Sequence, residues 1–281
     1  MSNKQQNAFT LIELSIVLVI IGLIVGGILV GRDLIEAAKV RAQISQLEEI
    51  KTAYSTFQLK YGCTAGDCAN ATDFFGNSTA NGNGNGIVQN SDGGCSTPGS
   101  CQNSACWAFD FEMSRFFEQL SLAGMIPGQY RNSQNIDIGY PSTRLNRGVG
   151  GLSVTRDRFT YIDTCNGRTC CGYARGLIRG YDCMGMNEFR QTLFVILNYE
   201  GAPGYRQKSN LYGIFTPTQT LSMDSKIDDG KPFTGQFRAS NPTDSGGAFV
   251  DGDCAVDYTS RTSGYNVTNT KNACHIALKL E

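Results

Sequence analysis

Eleven cysteines and a single histidine are the side chains of this 281-residue chain with the sharpest chemistry. The cysteines, at 63, 68, 95, 101, 106, 165, 170, 171, 183, 254 and 274, all follow a long N-terminal apolar run. Three pairs are spaced Cys-x4-Cys: 63/68, 101/106 and 165/170. Four thiolates can hold zinc without histidine. Thiols at this density in a glycine-rich chain instead point to disulfides in an oxidising compartment. The connectivity stays open, and an odd count leaves at least one thiol outside any intrachain pairing. His275 stands alone, so a His-rich zinc site is excluded, and a Ser-His or Cys-His catalytic unit would need that one residue.

Oxygen ligands are next. Asn81, Asn83 and Asn85 alternate with glycines, and Asp92 falls at the twelfth position, which resembles a calcium loop. The asparagines bring no charge, Asp replaces the closing Glu, and Ile87 comes one place early. A surface Asn/Gly loop is the competing reading. Asp228 and Asp229 are adjacent in a turn and read as a helix stop rather than a general acid/base pair, which needs convergence from separate elements. No Gly-x-Ser-x-Gly elbow, phosphate loop or dinucleotide fingerprint is present. The expectation is a protein without enzymatic activity or cofactor. Charge is balanced, 24 basic against 25 acidic residues, which excludes the basic excess of a nucleic-acid binder.

One carboxylate sits in an unusual place. From Leu14 to Gly31 there is no charge and one hydroxyl, Ser15, and extension back to Phe9 adds only Glu13 as a charged residue. A helix over 9–31 is about 34 Å long, enough to cross a bilayer core of about 30 Å. A cleaved secretory signal would be shorter, and a buried core helix is seldom apolar all round. A carboxylate at mid-membrane costs about 2.5–3.5 kcal/mol, less near the interface. Glu13 therefore either reaches the headgroups or awaits a cationic partner. Gly22-x-x-x-Gly26 and Gly27-x-x-x-Gly31 would let helix backbones approach closely in lipid.

The run Ala8-Phe9-Thr10-Leu11-Ile12-Glu13-Leu14, followed by the apolar stretch, closely resembles the processing motif of type IV pilins and type II secretion pseudopilins. The resemblance implies a cytoplasmic leader, residues 1–8, removed by a prepilin peptidase between Ala8 and Phe9, with N-methylation of Phe9. It implies that Glu13 guides docking by neutralising the new α-amine of Phe9 on a neighbouring copy. The implied partners are that peptidase, other pilin or pseudopilin subunits and an inner-membrane assembly platform. Ala8 departs from the glycine usual before the cut, and alanine is the smallest substitute. The resemblance also implies a C-terminal loop closed by Cys254 and Cys274. The four glycines lower helix propensity by up to about 1 kcal/mol each relative to alanine, so local unwinding around Gly22 to Gly27 is expected on leaving the membrane, as many pilins show.

These residues need elements to position them. Ala37, Val40, Ile44, Leu47, Ile50, Tyr54, Phe57 and Tyr61 recur at steps of three and four, one face of an amphipathic helix over 32–61 that ends at Gly62. From residue 62 the chain becomes turn- and cysteine-rich. A helix is expected over Trp107 to Ala123 and another after Thr216-Pro217, running into Asp228-Asp229-Gly230. Strands are expected at Phe159 to Ile162, Gln191 to Tyr199, Gly235 to Ala239 and Cys274 to Leu280. The expected fold is α+β and pilin-like. A long N-terminal helix, transmembrane over 9–31 and then amphipathic, packs on an antiparallel sheet head (62–281) with disulfide-rich loops. The expected place is a single-pass inner-membrane protein with a periplasmic head, then a filament at the cell surface or across the periplasm. A membrane-anchored binding or hydrolytic domain that never polymerises is the alternative.

Overall fold

The computed structural model describes residues 11–84, 86, 88, 112–131, 138–145, 213–240, 254–257 and 262–280, together with the strand backbones at 150–155, 162–165, 168–171 and 192–197. The first element, α1 (Leu11–Tyr61), is a single helix of 51 residues, about 77 Å long. It continues without a break through Gly22 to Gly31, so the isolated subunit shows no unwinding there. It ends where Gly62 takes a positive φ of 69° and donates its N–H to the Gln58 carbonyl at 2.9 Å.

The two halves of α1 live in different surroundings. Every large apolar side chain from Leu11 to Ile35 is exposed, whereas Val40, Leu47, Ile50, Ala53, Tyr54 and Phe57 are buried. The buried face also takes in Gln43 and Gln46, which lie beside the apolar stripe of the sequence rather than on it.

Around this face lie α2 (Ala71–Phe75), α3 (Glu112–Leu122), α4 (Pro217–Ile227) and a four-stranded sheet. The sheet contains β1 (Gly150–Thr155), β4 (Thr192–Leu197), β5 (Phe237–Ser240) and β6 (His275–Lys279), in the order β1-β4-β6-β5. All its pairings are antiparallel, with Gly150 opposite Leu197, Thr192 opposite Lys279 and Phe237 opposite Leu278. A separate hairpin joins β2 (Ile162–Cys165) to β3 (Arg168–Cys171). The architecture is α+β and pilin-like. Of the expected strand at 159–162, Ile162 alone is among the described residues, and it opens β2; β1 and β3 were not anticipated, being short and rich in small or polar residues. The helix expected from Trp107 starts at Glu112 among the described residues, and Trp107 and Phe111 lie outside them.

The core is aromatic. Tyr54 stacks on Phe116 with ring centroids 6.0 Å apart, and Phe116 meets Phe117 edge-on at 5.0 Å. Phe57 lies 4.5 Å from Tyr61 and 6.2 Å from Phe75, which ties the end of α1 to α2. Phe215, Met223, Phe237, Ile276 and Leu278 complete the same cluster from α4 and the sheet side. Among the described residues two disulfides staple it at opposite ends of the head sequence: Cys63 to Cys68, Cα atoms 5.2 Å apart, and Cys254 to Cys274, 5.0 Å apart. Gly213 must be glycine, because a Cβ there would overlap the backbone of Ala273 and Cys274.

Phe57 is fully buried between helix end and head. Phe57→Ala should destabilise the head by about 3–5 kcal/mol, read as a lower midpoint in chemical denaturation.

Candidate functional site

The site residues indicated by the sequence fall on three structures: the N-terminal half of α1, the loop after α2, and the turn after α4. Ala8 and Phe9 lie outside the described residues. Glu13 stands in the first turn of α1 and is exposed. An anion is favoured there, because the unsatisfied N–H groups of a helix start give it partial positive charge. Ser15 turns its hydroxyl back onto the Ile12 carbonyl at 2.9 Å, so its polar group is satisfied within the helix.

At 100° per residue Gly22 and Gly26 share one face of α1, and Gly27 and Gly31 share another about 140° away. A Cβ built at any of the four meets nothing within 4 Å. No contact among the described residues requires these glycines to be small. α1 is also the one helix among the described residues long and apolar enough to cross a membrane, and none of that apolar window is buried.

Residues 3–29 match the family model of the prokaryotic N-terminal methylation motif. The chain carries the prepilin-type motif of type IV pilins and pseudopilins. No curated protein and no solved structure matches the chain. The motif implies processing by a prepilin peptidase and pilin-type assembly, and the single N-terminal apolar helix fits membrane anchoring. It covers Ala8, Phe9, Glu13, Gly22, Gly26 and Gly27, while Gly31 lies just beyond it.

The loop at 81–86 departs from a calcium loop. The Asn81 side-chain oxygen accepts the Thr72 N–H at 2.8 Å. Gly84 and Gly86 donate their N–H groups to the two oxygens of the Asp67 carboxylate at 2.8 and 2.6 Å, and Asn83 donates its N–H to Glu112 at 3.1 Å. A calcium loop turns oxygens inward around a cation. This loop turns N–H groups inward around an anionic side chain of its own head. Asn85 and Asp92 lie outside the described residues.

The turn after α4 uses carboxylates in the same way. Thr216 and Gln219 form the expected N-terminal cap as a reciprocal pair, with Pro217 in the first turn. At the other end Asp228 accepts the N–H groups of Gln236 and Phe237, and Asp229 accepts the Lys231 N–H at 2.9 Å and the Thr234 hydroxyl at 2.5 Å. Asp224 is fully buried and accepts the Tyr265 hydroxyl at 2.6 Å and the Gly230 N–H at 3.2 Å. One oxygen from each of the three aspartates lies within 4.8 Å of the others. Tyr265 belongs to the segment closed by Cys254 and Cys274, so Asp224 ties α4 to that loop.

A cavity of about 490 Å³ lies between α1 and the segments 126–130 and 141–144. Its polar residues engage one another: Arg144 pairs with Glu49 at 2.8 Å, and Gln46 donates to the Ser142 carbonyl at 2.8 Å. They brace the head against α1, as does Gln43, whose side-chain oxygen accepts the N–H groups of Arg144 and Leu145. The one sequence signal for Gln43 and Gln46 in this role is their position one residue from the apolar stripe.

Burial raises the Asp224 carboxyl from 3.8 to about 7; the Tyr265 and Gly230 hydrogen bonds oppose the rise, and the charges of Asp229 and Asp228 add to it. The folded head therefore holds a proton there that the unfolded chain releases near pH 4. Stability is fully present below that pH and falls as pH rises through about 7. The thermal midpoint of the full chain in detergent should fall between pH 5 and 8, and Asp224→Asn should flatten that fall.

Proposed function

We propose that the chain is a pilin-like structural subunit, a minor pilin or a pseudopilin, that works by polymerising through α1. The observation that carries this reading is the placement of Glu13 at the start of a helix half that the subunit itself leaves bare. An anchor needs apolar length but no carboxylate at its entrance, whereas a carboxylate there suits docking against a cation. Cleavage between Ala8 and Phe9 would supply that cation as the α-amine of Phe9 on a neighbouring copy.

The mechanism is physical rather than catalytic. In the inner membrane lipid covers Leu11 to Ile35, with the head in the periplasm. On assembly, the equivalent helices of other copies replace the lipid. Gly22 with Gly26 and Gly27 with Gly31 open two faces of each helix to close neighbours, as an extended array requires and a simple pair does not. Glu13 meeting an amine removes the cost of an isolated charge in an apolar bundle. The head of roughly 220 residues (62–281) is large for a repeating major subunit, which favours a minor or specialised one.

Intact mass and N-terminal sequencing, with and without an active prepilin peptidase, test the processing. A chain starting at N-methylated Phe9 only with the peptidase is the expected result. Retention of residues 1–8 in both samples would leave the non-polymerising anchored domain as the reading. In cells Glu13→Ala should insert normally but enter filaments poorly, scored by immunoblot of sheared filaments against membranes.

A further inference from the structure

α4 makes a contact that its own capping does not require. The Gln219 side-chain oxygen accepts the Thr216 N–H at 3.0 Å, which closes the cap and fixes which way the amide faces. Its nitrogen is thereby turned toward α1, where it donates to Glu36 Oε1 at 2.5 Å. The acceptor is a carboxylate, which makes the bond stronger than one between neutral groups, and the positive end of the α4 dipole favours the same charge.

The position of Glu36 gives the contact its consequence. Ile35 is the last residue of the bare run, and Val40 is the first buried apolar residue of α1. Glu36 lies between them, half-buried, while the bonds from Gln46, Glu49 and Lys51 to the head lie farther along the helix. Between Ile35 and Val40 only Glu36 and Ala37 are part-buried, and the Gln219 contact is the directional bond among the described residues that ties this stretch to the head. Glu13 lies 23 residues before Glu36, a lever of about 35 Å, so a tilt of about 10° there moves Glu13 by about 6 Å. That displacement exceeds the reach of a hydrogen bond.

We propose that Gln219 and Glu36 form a latch that holds the bare half of α1 at a fixed angle to the head, which makes Gln219 a positioning residue for the docking of Glu13 on a second copy. The docking part rests on the filament reading above; the latch itself does not.

The test uses the full chain in bilayers with noncanonical spin-label residues at Arg32 and Thr218, both exposed. Glu36→Ala should broaden the distance distribution between the labels and lower filament incorporation at least ~10-fold, the scale of one hydrogen bond to a charged group. Glu36→Gln keeps an acceptor oxygen and should restore both readouts. Thr216→Ala should lower the thermal midpoint while the distribution stays narrow, because the Thr216 N–H and Glu36 remain in place. A narrow distribution in Glu36→Ala would overturn the latch. A broad distribution with normal incorporation would overturn the positioning role. Normal incorporation of Glu13→Ala would instead remove the filament reading, and the label distances would still decide the latch.

Discussion

Water is a poor solvent for the first half of α1, and the rest of the molecule is arranged around that fact. Each large apolar side chain left in water forgoes about 1.5–3 kcal/mol of burial, and the exposed run extends from Leu11 to Ile35. No rearrangement of the head can cover a helix half that projects about 37 Å beyond it. The burden falls on something outside the subunit. Lipid can meet it, and in the filament proposed above other copies of the helix would, so that one stretch would serve as both anchor and driving force for assembly, with Glu13 at its entrance.

The head meets the opposite demand, which is to grip a helix without enclosing it. Tyr54 and Phe57 supply the grip, set into Phe116, Phe75 and the aromatic cluster behind them. Area alone would allow sliding along the helix axis, since apolar contact is non-directional. The polar contacts set the register. Gln43 accepts the N–H groups of Arg144 and Leu145, Gln46 donates to Ser142, Glu49 pairs with Arg144 and Lys51 donates to Gln236 at 3.0 Å. These groups are spaced along two turns of the helix, so a shift by one residue would break them together.

The long helix was legible in the sequence because two simple signals run on end to end, an apolar stretch over 9–31 whose only charge is Glu13 and then a 3.6-residue period over 37–61. The cap at Thr216 and the stop at Asp228 were legible because capping is local chemistry. The buried glutamines were not, since Gln43 and Gln46 are inside only because loop 142–145 brings backbone groups to them. Strand β1 offers only Leu152 and Val154 alternating with Ser153 and Thr155 after two glycines, too short a period to read, and its place is set by pairing with β4. The methylation motif is readable from residue types alone, because it is one short contiguous run and needs no partner from the head.

The pattern at Asn81 to Asn85 carries a general point about carboxylates in this head. Alternating side-chain oxygens and glycines fit a calcium loop and also fit a loop whose backbone must turn sharply and present N–H groups. Composition cannot separate the two, because the deciding group is remote in sequence: Asp67 is contributed from before α2, and Glu112 from α3. Asp228 does the same for Gln236 and Phe237, and the Cβ of any residue replacing Gly235 would collide with that carboxylate. A head rich in turns has many backbone N–H groups without ladder partners, and a buried carboxylate can satisfy two at once. Covalent staples at Cys63–Cys68 and Cys254–Cys274 limit how far the ends of these turns can separate. The aspartates then fix the path between them, so the turns around the aromatic grip on α1 are held by hydrogen bonds as well as by covalent links.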